Sequence, residues 1–287
     1  MNAYYDLRKR VVINQPQDCC PFDKWVNSER NDCPCALHPE GFLVFLNSSE
    51  MSLNDEYFKS DPFGLKEDLD NVFQKRRIKC TIQLLNDHKH NHKGRLLDIG
   101  CGQGHLTNII KSRFPLLDVY AIDHSISAIS YANSNFKGIS FSVADAFHPP
   151  FPDASFDIVV CNNLWEHVPD PINLANSIHR ILKTDGVLII STPSRYRLAN
   201  IINMIKGKKA VLLNKYHITE YSVGQVIEQL NYSGFRVERI FSDPIRERKI
   251  GGRLFKTFLS ALIRFFRSHH VLELTVFYSA VKRPSQK

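Results

Sequence analysis

The stretch LLDIGCGQGHLT, residues 96–107, decides the fold. Its apolar residues lead through Asp98 into three glycines at alternate positions, Gly100, Gly102 and Gly104, and a stretch with helical spacing follows. A strand, a glycine turn and a helix in this order are typical of a parallel α/β sheet, in which the turn presents backbone N–H groups to a ligand. The stretch therefore predicts a ligand site at the carboxyl end of a strand. It leaves the ligand open, because several classes of ligand bind to such turns.

The rest of the chain alternates between strand-like and helix-like patterns. Strands are predicted at residues 95–99, 117–122, 139–144, 156–161, 187–191, 235–241 and 272–281. Helices are predicted at residues 65–87, 104–113, 125–135, 171–182 and 222–231. The repeated βα unit predicts an α/β fold, in which helices cover both faces of a mostly parallel sheet.

Two further acids follow predicted strands. Asp123 ends the second strand, in AIDHS, and Asp145 follows the third, in VADAF. In a parallel sheet these strand ends open on the same edge as the glycine turn. The Asp123 carboxylate suits a ribose diol, because its two oxygens can accept hydrogen bonds from two hydroxyls. Asp145 can accept a hydrogen bond from an adenine amino group, or it can cap a helix or lie in a solvated loop.

The glycine spacing and the motifs around it resemble a known family. The spacing here is G-x-G-x-G, whereas dinucleotide sites use G-x-G-x-x-G. The ordered motifs LLDIGCGQG, AIDHSISAISYA, VADAFHPPFPDASFDIVVCNNLWEHVPDP and GVLIISTPS resemble those of class I S-adenosylmethionine (SAM)-dependent methyltransferases. Their nearest resemblance is to the branch that includes the ubiquinone and menaquinone biosynthesis methyltransferases and many small-molecule O-methyltransferases. It covers about residues 65–282.

This resemblance implies a doubly wound, Rossmann-like sheet of seven strands, with the last strand antiparallel. It also implies SAM as the cofactor. Asp98 and the glycine turn would flank the methionyl part, Asp123 would bind the ribose, and Asp145 with Ala146 would meet the adenine. The residues expected to bind SAM are Asp98, Gly100, Cys101, Gly102, Gly104, Asp123, His124, Asp145, Ala146 and Asn162.

Two histidines are candidate general bases. Methyl transfer to an alcohol or phenol requires removal of the hydroxyl proton near neutral pH, and histidine is the natural base for that step. His167 lies in NNLWEHVPDP, just past the fourth predicted strand, and the resemblance places this Glu-His pair near the substrate. His217 lies in NKYHITEYS. Either histidine can instead be a structural residue that caps a turn, and Glu166 can orient a neighbour or cap a helix.

The positive charge of the chain is concentrated in two segments. The net charge is +8. The first basic segment, residues 195–217, carries six Lys or Arg residues and no acid, and the second basic segment, residues 246–267, carries seven against one acid. The remaining residues are therefore net acidic. This segregation favours an anionic partner, which is a membrane surface, a phosphorylated substrate or nucleic acid.

The second basic segment contains an amphipathic pattern, RLFKTFLSALIRFFRS, at residues 253–268. Leucines and phenylalanines fall on one broad helical face and cations on the other, as in helices that lie in a membrane interface. The alternative is a surface helix that packs its apolar face on the domain. An RNA partner is also compatible with the charge, but the segments contain few of the polar residues that read bases.

The N-terminal residues 1–64 are predicted to form an irregular segment or a lid, followed by a methyltransferase domain at 65–287 with insertions at about 194–215 and 244–270. Four cysteines lie in the N-terminal segment: Cys19, Cys20, Cys33 and Cys35. Four soft ligands of this kind can hold zinc, but the spacing C-C-x12-C-x-C is not a standard zinc arrangement. Free thiols are therefore expected there, zinc binding is the alternative, and no metal ligand is predicted.

These observations predict a SAM-dependent methyltransferase that O-methylates a lipid, a lipid-linked molecule or another hydrophobic small molecule at a membrane surface. The alternatives are an RNA methyltransferase that uses the basic segments, and a non-catalytic SAM-binding partner subunit. The chain has no run of 18 apolar residues and its N-terminus lacks the apolar region of a secretory signal, so a cytoplasmic, peripherally membrane-bound protein is expected. The identity of the acceptor and the oligomeric state stay open.

Overall fold

The computed structural model describes residues 11–12, 36–46, 71–88, 93–242, 250–265 and 272–283. The strands are β1 Val11–Val12, β2 Ala36–Leu37, β3 Leu43–Val44, β4 Gly94–Ile99, β5 Leu117–Asp123, β6 Ile139–Val143, β7 Phe156–Asn162, β8 Leu182–Pro193, β9 Phe235–Phe241 and β10 Thr275–Lys282. The helices are α1 Val72–Asp87, α2 His105–Arg113, α3 Ile126–Asn135, α4 Pro171–Ile181, α5 Leu198–Ile205, α6 Val223–Tyr232 and α7 Ile250–Phe265.

The chain forms two compact units. The first unit comprises Met1–Leu69, His90–Val159 and Arg180–Lys183, and the second unit comprises Asp70–Lys89, Val160–His179 and Thr184–Lys287. Each unit therefore takes up several separate stretches of the chain.

The first unit contains three of the parallel strands that the sequence predicts. The strands β4, β5 and β6 pair in parallel, and the short strand β3 pairs in parallel with β6. The register places Ile99 opposite Ile122 and Asp123 opposite Val143. The carboxyl ends of the three strands therefore reach one edge, as the sequence analysis predicts for the glycine turn and Asp123.

The parallel strands of the first unit are held together by a buried apolar core. In strand β5 every residue except Asp118 is buried, so the strand is apolar on both faces, as expected of a central parallel strand. Phe141, Ile129 and Leu46 belong to one buried cluster that joins β6, α3 and the N-terminal part of the chain. Helix α3 begins after Ser125, whose hydroxyl accepts a hydrogen bond from the backbone N–H of Ala128.

The second unit contains the antiparallel strands. Strand β10 pairs antiparallel with both β8 and β9, and Phe277 lies opposite Ser191 on one side and Phe241 on the other. The resemblance to methyltransferases implies seven strands with an antiparallel last strand, and strands β4 to β10 confirm that fold class. Helix α6 begins with a capping box in which Ser222 and Gln225 bond reciprocally.

Strand β8 and the N-terminal segment differ clearly from the sequence predictions, whereas the other described elements shift by a few residues at their ends. Strand β8 begins at Leu182 rather than at residue 187, although Asp185 and the following glycine form a typical turn signal. Near this early start the Lys183 ammonium contacts both carboxylate oxygens of Asp157 at 2.7 and 2.8 Å. In the N-terminal segment, described as irregular from its sequence, the structure has the three two-residue strands β1 to β3.

Some sequence predictions fall outside the described residues. These include the four N-terminal cysteines and most of the predicted lid, and also the basic residues between β9 and α7. None of the helices that the structure describes is both long and apolar enough to span a bilayer.

Candidate active site

The glycine turn after β4 is built on three left-handed backbone positions. Gly100, Gly102 and Gly104 have φ angles of 73°, 55° and 75°, which residues with a Cβ atom rarely adopt. The turn is held against the end of β5, because the N–H groups of Gly100 and Cys101 both donate to the carbonyl of Ile122, at 2.9 and 3.1 Å. This backbone geometry explains why the turn has glycine at these three positions.

Gly104 is the N-cap residue of helix α2. The space around it is too small for a larger residue. A Cβ atom at this position would lie 2.9 Å from the Phe141 ring and 3.0 Å from the Cβ atom of Ala132. Both neighbours are buried in the core of the first unit. The close approach of helix α2 to β6 and α3 thus requires a glycine.

Replacing Gly104 by alanine is expected to lower the free energy of unfolding by about 3 kcal/mol, from left-handed strain and overpacking together. Gly207→Ala is the matched control, because Gly207 has a similar φ angle of 68° and nothing lies within 4 Å of an added Cβ atom. The control should lose only the strain contribution, about 1 kcal/mol. Urea unfolding measures both values, and equal losses in the two variants would show that the packing argument is wrong.

Two buried aspartates fix this turn from either side. The Asp98 carboxylate accepts a hydrogen bond from the Thr107 hydroxyl at 2.6 Å and so connects β4 to the first turns of α2. Asp123 accepts one backbone N–H on each oxygen, from Gly102 at 2.8 Å and from Ser125 at 2.9 Å. Burial raises the pKa of Asp123, and these two backbone hydrogen bonds act in the opposite direction. An ionised carboxylate has about four acceptor positions, so Asp123 retains acceptor capacity for a ligand hydroxyl.

Asp145 lies two residues beyond the end of β6. Its carboxylate accepts the backbone N–H of Phe147 at 3.0 Å and contacts Nδ1 of His148 at 2.7 Å. The neighbouring Ala144 donates its N–H to the carbonyl of Asp123, which holds the ends of β5 and β6 together. The structure therefore brings the predicted ribose and adenine positions to adjacent strand ends in the first unit. Their contacts with SAM stay predictions, as do those of His124 and Ala146.

Asn162, the remaining residue of the predicted SAM set, belongs to the second unit. It is the last residue of β7 and is buried, and its amide donates to the Thr81 hydroxyl of α1 at 2.9 Å. Asn163 follows in a left-handed conformation with a φ angle of 54° and donates to Glu166 at 3.2 Å. Cys161 is a buried thiol.

The three predicted catalytic residues come together in the second unit. Glu166 and His167 lie in a short 3-10 helix after β7, and His217 approaches from the loop before α6. The two imidazole rings have centroids 4.9 Å apart and are nearly perpendicular. One potential ligand atom from each of the three side chains lies within 4.8 Å of the other two. Backbone N–H groups of Ile218 and Thr219 donate to the carbonyl of Glu166 and hold the loop in place.

Hydrogen bonds define which nitrogen of each histidine is available. Nδ1 of His167 lies 3.1 Å from the carbonyl oxygen of Tyr216. Because a carbonyl only accepts, this Nδ1 carries a proton in the hydrogen-bonded form. Nδ1 of His217 lies 2.9 Å from a carboxylate oxygen of Glu220, which likewise accepts. In both neutral rings the Nε2 lone pair is then available for a proton or a ligand.

Burial sets the protonation of the cluster. The Glu166 carboxyl is buried, and this raises its pKa to about 7. Burial lowers the pKa of His167, and the neighbouring His217 lowers it further. A neutral imidazole is the form that a general base or a metal ligand needs.

Two further residues of this site, Arg197 and Glu220, were not predicted from the sequence. Both are buried, and the Arg197 guanidinium donates to the Glu220 carboxylate and also to the carbonyls of Ser194 and Val211. Burial alone would raise the pKa of Glu220, but hydrogen bonds from Leu213, Arg197 and His217 bring it below its ordinary value. The H-x-x-E spacing in HITE is a signal that could have identified Glu220, whereas Arg197 was counted among the basic residues of the first basic segment.

Comparison with known proteins agrees with the geometry. A family model described as a methyltransferase domain matches residues 71–240, which is more than half of the chain. The chain belongs to this family of class I SAM-dependent methyltransferases. SAM is the cofactor, and the glycine turn with Asp98 and Asp123 offers the backbone donors and carboxylate acceptors that its amino-acid part and its ribose require.

Individual relatives cover part of the chain. A protein from Mycolicibacterium smegmatis named "Probable S-adenosylmethionine-dependent methyltransferase" is 28% identical over 57% of this chain and 59% of its own length. A ubiquinone biosynthesis O-methyltransferase from Glaesserella parasuis is 33% identical over 46% of this chain and 58% of its own. The chain thus spans less than two thirds of these relatives. A solved phosphoethanolamine N-methyltransferase 2 from Haemonchus contortus, in complex with SAM, has a TM-score of 0.50 at 21% identity, over 72% of this chain and 53% of its own, and shares the fold.

Proposed function

We propose that this methyltransferase transfers the methyl group of SAM to a hydroxyl of a lipid or lipid-linked acceptor at a membrane surface. The observation that carries the proposal is an exposed apolar face on helix α7. Leu254, Phe258, Leu262 and Phe265 are 68%, 65%, 41% and 80% exposed. This helix therefore turns large apolar side chains outward, which a surface helix that packs its apolar face on the domain does not do.

The spacing of these residues supports membrane contact rather than scattered exposure. They recur along one face of α7, and the exposed positions Thr257 and Ala261 between them carry no charge. Lys256 lies off this face, where its ammonium pairs with Glu273 at 3.0 Å. Apolar side chains of this size on one helix face match the burial of an interfacial helix in the boundary between headgroups and acyl chains.

The first basic segment supports the same proposal. Helix α5 and the loop after it expose apolar side chains beside cations. The exposed apolar residues are Met204, Ile205, Val211, Leu213 and Tyr216, and the exposed cations are Lys206, Lys208, Lys209 and Lys215. Arg197 is buried and forms an ion pair with Glu220, so the exposed cations of the segment are its lysines. Lysines flanking exposed apolar side chains are typical of contact with an anionic bilayer.

The hydroxyl acceptor is supported by the cluster of Glu166, His167 and His217. SAM already carries an activated methyl group, so the residues of the enzyme must align the acceptor and deal with its proton. Two imidazoles beside a buried carboxylate suit a hydroxyl that is weakly acidic in water. Among the relatives, one is named a ubiquinone biosynthesis O-methyltransferase and another a malonyl-[acyl-carrier protein] O-methyltransferase, and both names specify oxygen as the acceptor atom.

The class of acceptor is tested with tritium-labelled SAM. The protein is incubated with a total lipid extract, with total RNA, or with neither, and the label in each fraction is counted. We expect label in the lipid extract. Label in RNA alone would replace this proposal by an RNA methyltransferase, and SAM binding without transfer to either fraction would favour a non-catalytic SAM-binding subunit.

Membrane binding is tested by liposome flotation. The Phe258→Glu, Phe265→Glu double variant should lose binding to phosphatidylglycerol vesicles, because each change removes an exposed ring and adds a negative charge. The control is the Leu116→Glu, Tyr232→Glu double variant, which changes the same charge at residues that are 64% and 80% exposed outside both basic segments. The control should float like the wild-type protein. Equal recovery of all three proteins would contradict the membrane part of the proposal.

A further inference from the structure

The cluster of Glu166, His167 and His217 has the composition of a metal-ligand set as well as that of an acid–base site. Its three side chains offer two imidazole nitrogens and one carboxylate oxygen, all within 4.8 Å of one another. Glu166 is 1% exposed and His217 is 9% exposed, so this is not a solvated surface group of acids. Two imidazoles with one carboxylate form a donor set that proteins use for divalent transition-metal ions.

The hydrogen bonds around the histidines are those expected of metal ligands. A histidine that binds a metal usually donates its other ring N–H to a carboxylate or a backbone carbonyl, which fixes the tautomer and the ring orientation. Here His217 uses Nδ1 toward Glu220 and His167 uses Nδ1 toward the carbonyl of Tyr216. Both partners are of the required kind, and both leave Nε2 available.

The shell beyond these ligands is itself anchored. Glu220 accepts hydrogen bonds from Arg197 and from the backbone N–H of Leu213 at 2.5 Å. These bonds hold its carboxylate in place independently of its contact with His217. The backbone at Glu166 is also anchored, because its carbonyl accepts a hydrogen bond from the backbone N–H of Ile218 at 2.8 Å. In metal sites the ligands are usually oriented by hydrogen-bonded partners that are themselves held in place. Side chains that only happen to lie close together lack such partners.

The charges favour a cation. Glu166 and Glu220 are two buried carboxylates, and Arg197 forms an ion pair with Glu220. This ion pair places a positive charge at Glu220. A bound divalent ion would place one at Glu166, because opposite charge stabilises a buried ion most at contact distance.

We infer that Glu166, His167 and His217 bind one divalent transition-metal ion of the Zn²⁺ class. Three protein ligands leave a coordination position open, as in catalytic zinc sites. This inference rests on the proposed function only for the use of that position, which would take the hydroxyl oxygen of the acceptor.

The chemistry of that use balances without a further reagent. A hydroxyl bound to a divalent ion loses its proton to water more readily than a free hydroxyl. A lone pair of the resulting oxyanion forms the new bond to the methyl carbon of SAM, the sulfur–carbon bond breaks, and its electron pair stays on sulfur. The products are the methyl ether and S-adenosylhomocysteine.

The test measures metal binding to the full chain without any acceptor. Chelator-treated protein is titrated with Co²⁺, which takes Zn²⁺ sites and reports its ligands in the visible spectrum. We expect one ion per chain without the thiolate charge-transfer absorption that cysteine ligands would give. Glu220→Gln should weaken binding about 10- to 100-fold, because it removes the partner of a ligand and not the ligand.

Ligand variants complete the test. His217→Ala and His167→Ala should each lose the ion, while His179→Ala should keep it, since His179 is a partly buried histidine that packs on Phe235 away from the cluster. His167 is only half-buried, so its variant serves if His217→Ala does not fold. No bound Co²⁺, binding unchanged in both ligand variants, or a spectrum dominated by thiolate bands would overturn the inference. Calorimetric titration of the same samples with SAM checks the proposed function separately.

Discussion

Replacing Asp123 by asparagine is expected to weaken SAM binding about 100-fold and to abolish the increase in melting temperature that SAM gives the wild-type protein. Two hydroxyl hydrogen bonds to an ionised carboxylate together contribute about 3 kcal/mol, which corresponds to that factor. The loss should not be limited to the ribose. Each oxygen of Asp123 accepts a backbone N–H, from Gly102 and from Ser125. An amide places an NH₂ group against one of these donors, so the glycine turn is disturbed as well.

The control for this change is Asp118→Asn. Asp118 lies on the same strand, but its carboxylate is largely exposed and faces Arg95 and Tyr120. Calorimetric titration with SAM should give the wild-type dissociation constant for this variant. Melting without SAM separates a local loss of the turn from general unfolding. If Asp123→Asn bound SAM as tightly as Asp118→Asn does, the ribose would have to be bound by other residues.

The second large effect is expected at His217. The His217→Ala variant should lose about 10²- to 10⁴-fold in methyl transfer, the range by which positioned acid–base groups accelerate reactions, and should keep its affinity for SAM. The reason is that the proposed role of His217 is to activate the acceptor, whereas the glycine turn and Asp123 are predicted to bind the donor. The hydrogen bond to Glu220 also holds the His217 imidazole in one orientation, as a general base requires.

Two further variants separate catalysis from structure at His217. His179→Ala removes another partly buried histidine of the second unit and should retain the wild-type rate. Glu220→Gln keeps the imidazole of His217 but removes its charged partner, so a smaller loss of rate is expected together with a changed pH dependence. A wild-type rate in His217→Ala would assign His217 to a structural role as a capped turn residue.

The local part of the site could be predicted from the sequence because it depends on neighbouring residues. The glycines at 100, 102 and 104 have left-handed φ angles, and a glycine pattern after an apolar run is a direct signal of such a turn. Asp123 follows from the same logic, since the register of parallel strands brings consecutive strand ends to one edge.

The long-range part of the site could not be predicted in the same way. His167 and His217 were each singled out, but nothing in their sequence spacing shows that their rings lie 4.9 Å apart. Arg197 was counted as a surface cation, and only the fold shows that it is buried against Glu220. Lys256 likewise pairs with Glu273 instead of facing solvent on α7. Charge counts identify a basic segment but do not tell which cations are used internally.

The most direct test of the account is a lipid comparison of three strains: one that lacks this gene, one complemented with the wild-type gene and one complemented with the His217→Ala variant. Mass spectrometry of their lipid extracts should show an apolar, hydroxyl-bearing compound that is lighter than the wild-type product by the mass of one CH₂ group. It should accumulate both without the gene and with the variant, and it should disappear with the wild-type gene. Identical lipid profiles in the three strains, with a methylated nucleoside missing from the RNA of the first, would contradict the account.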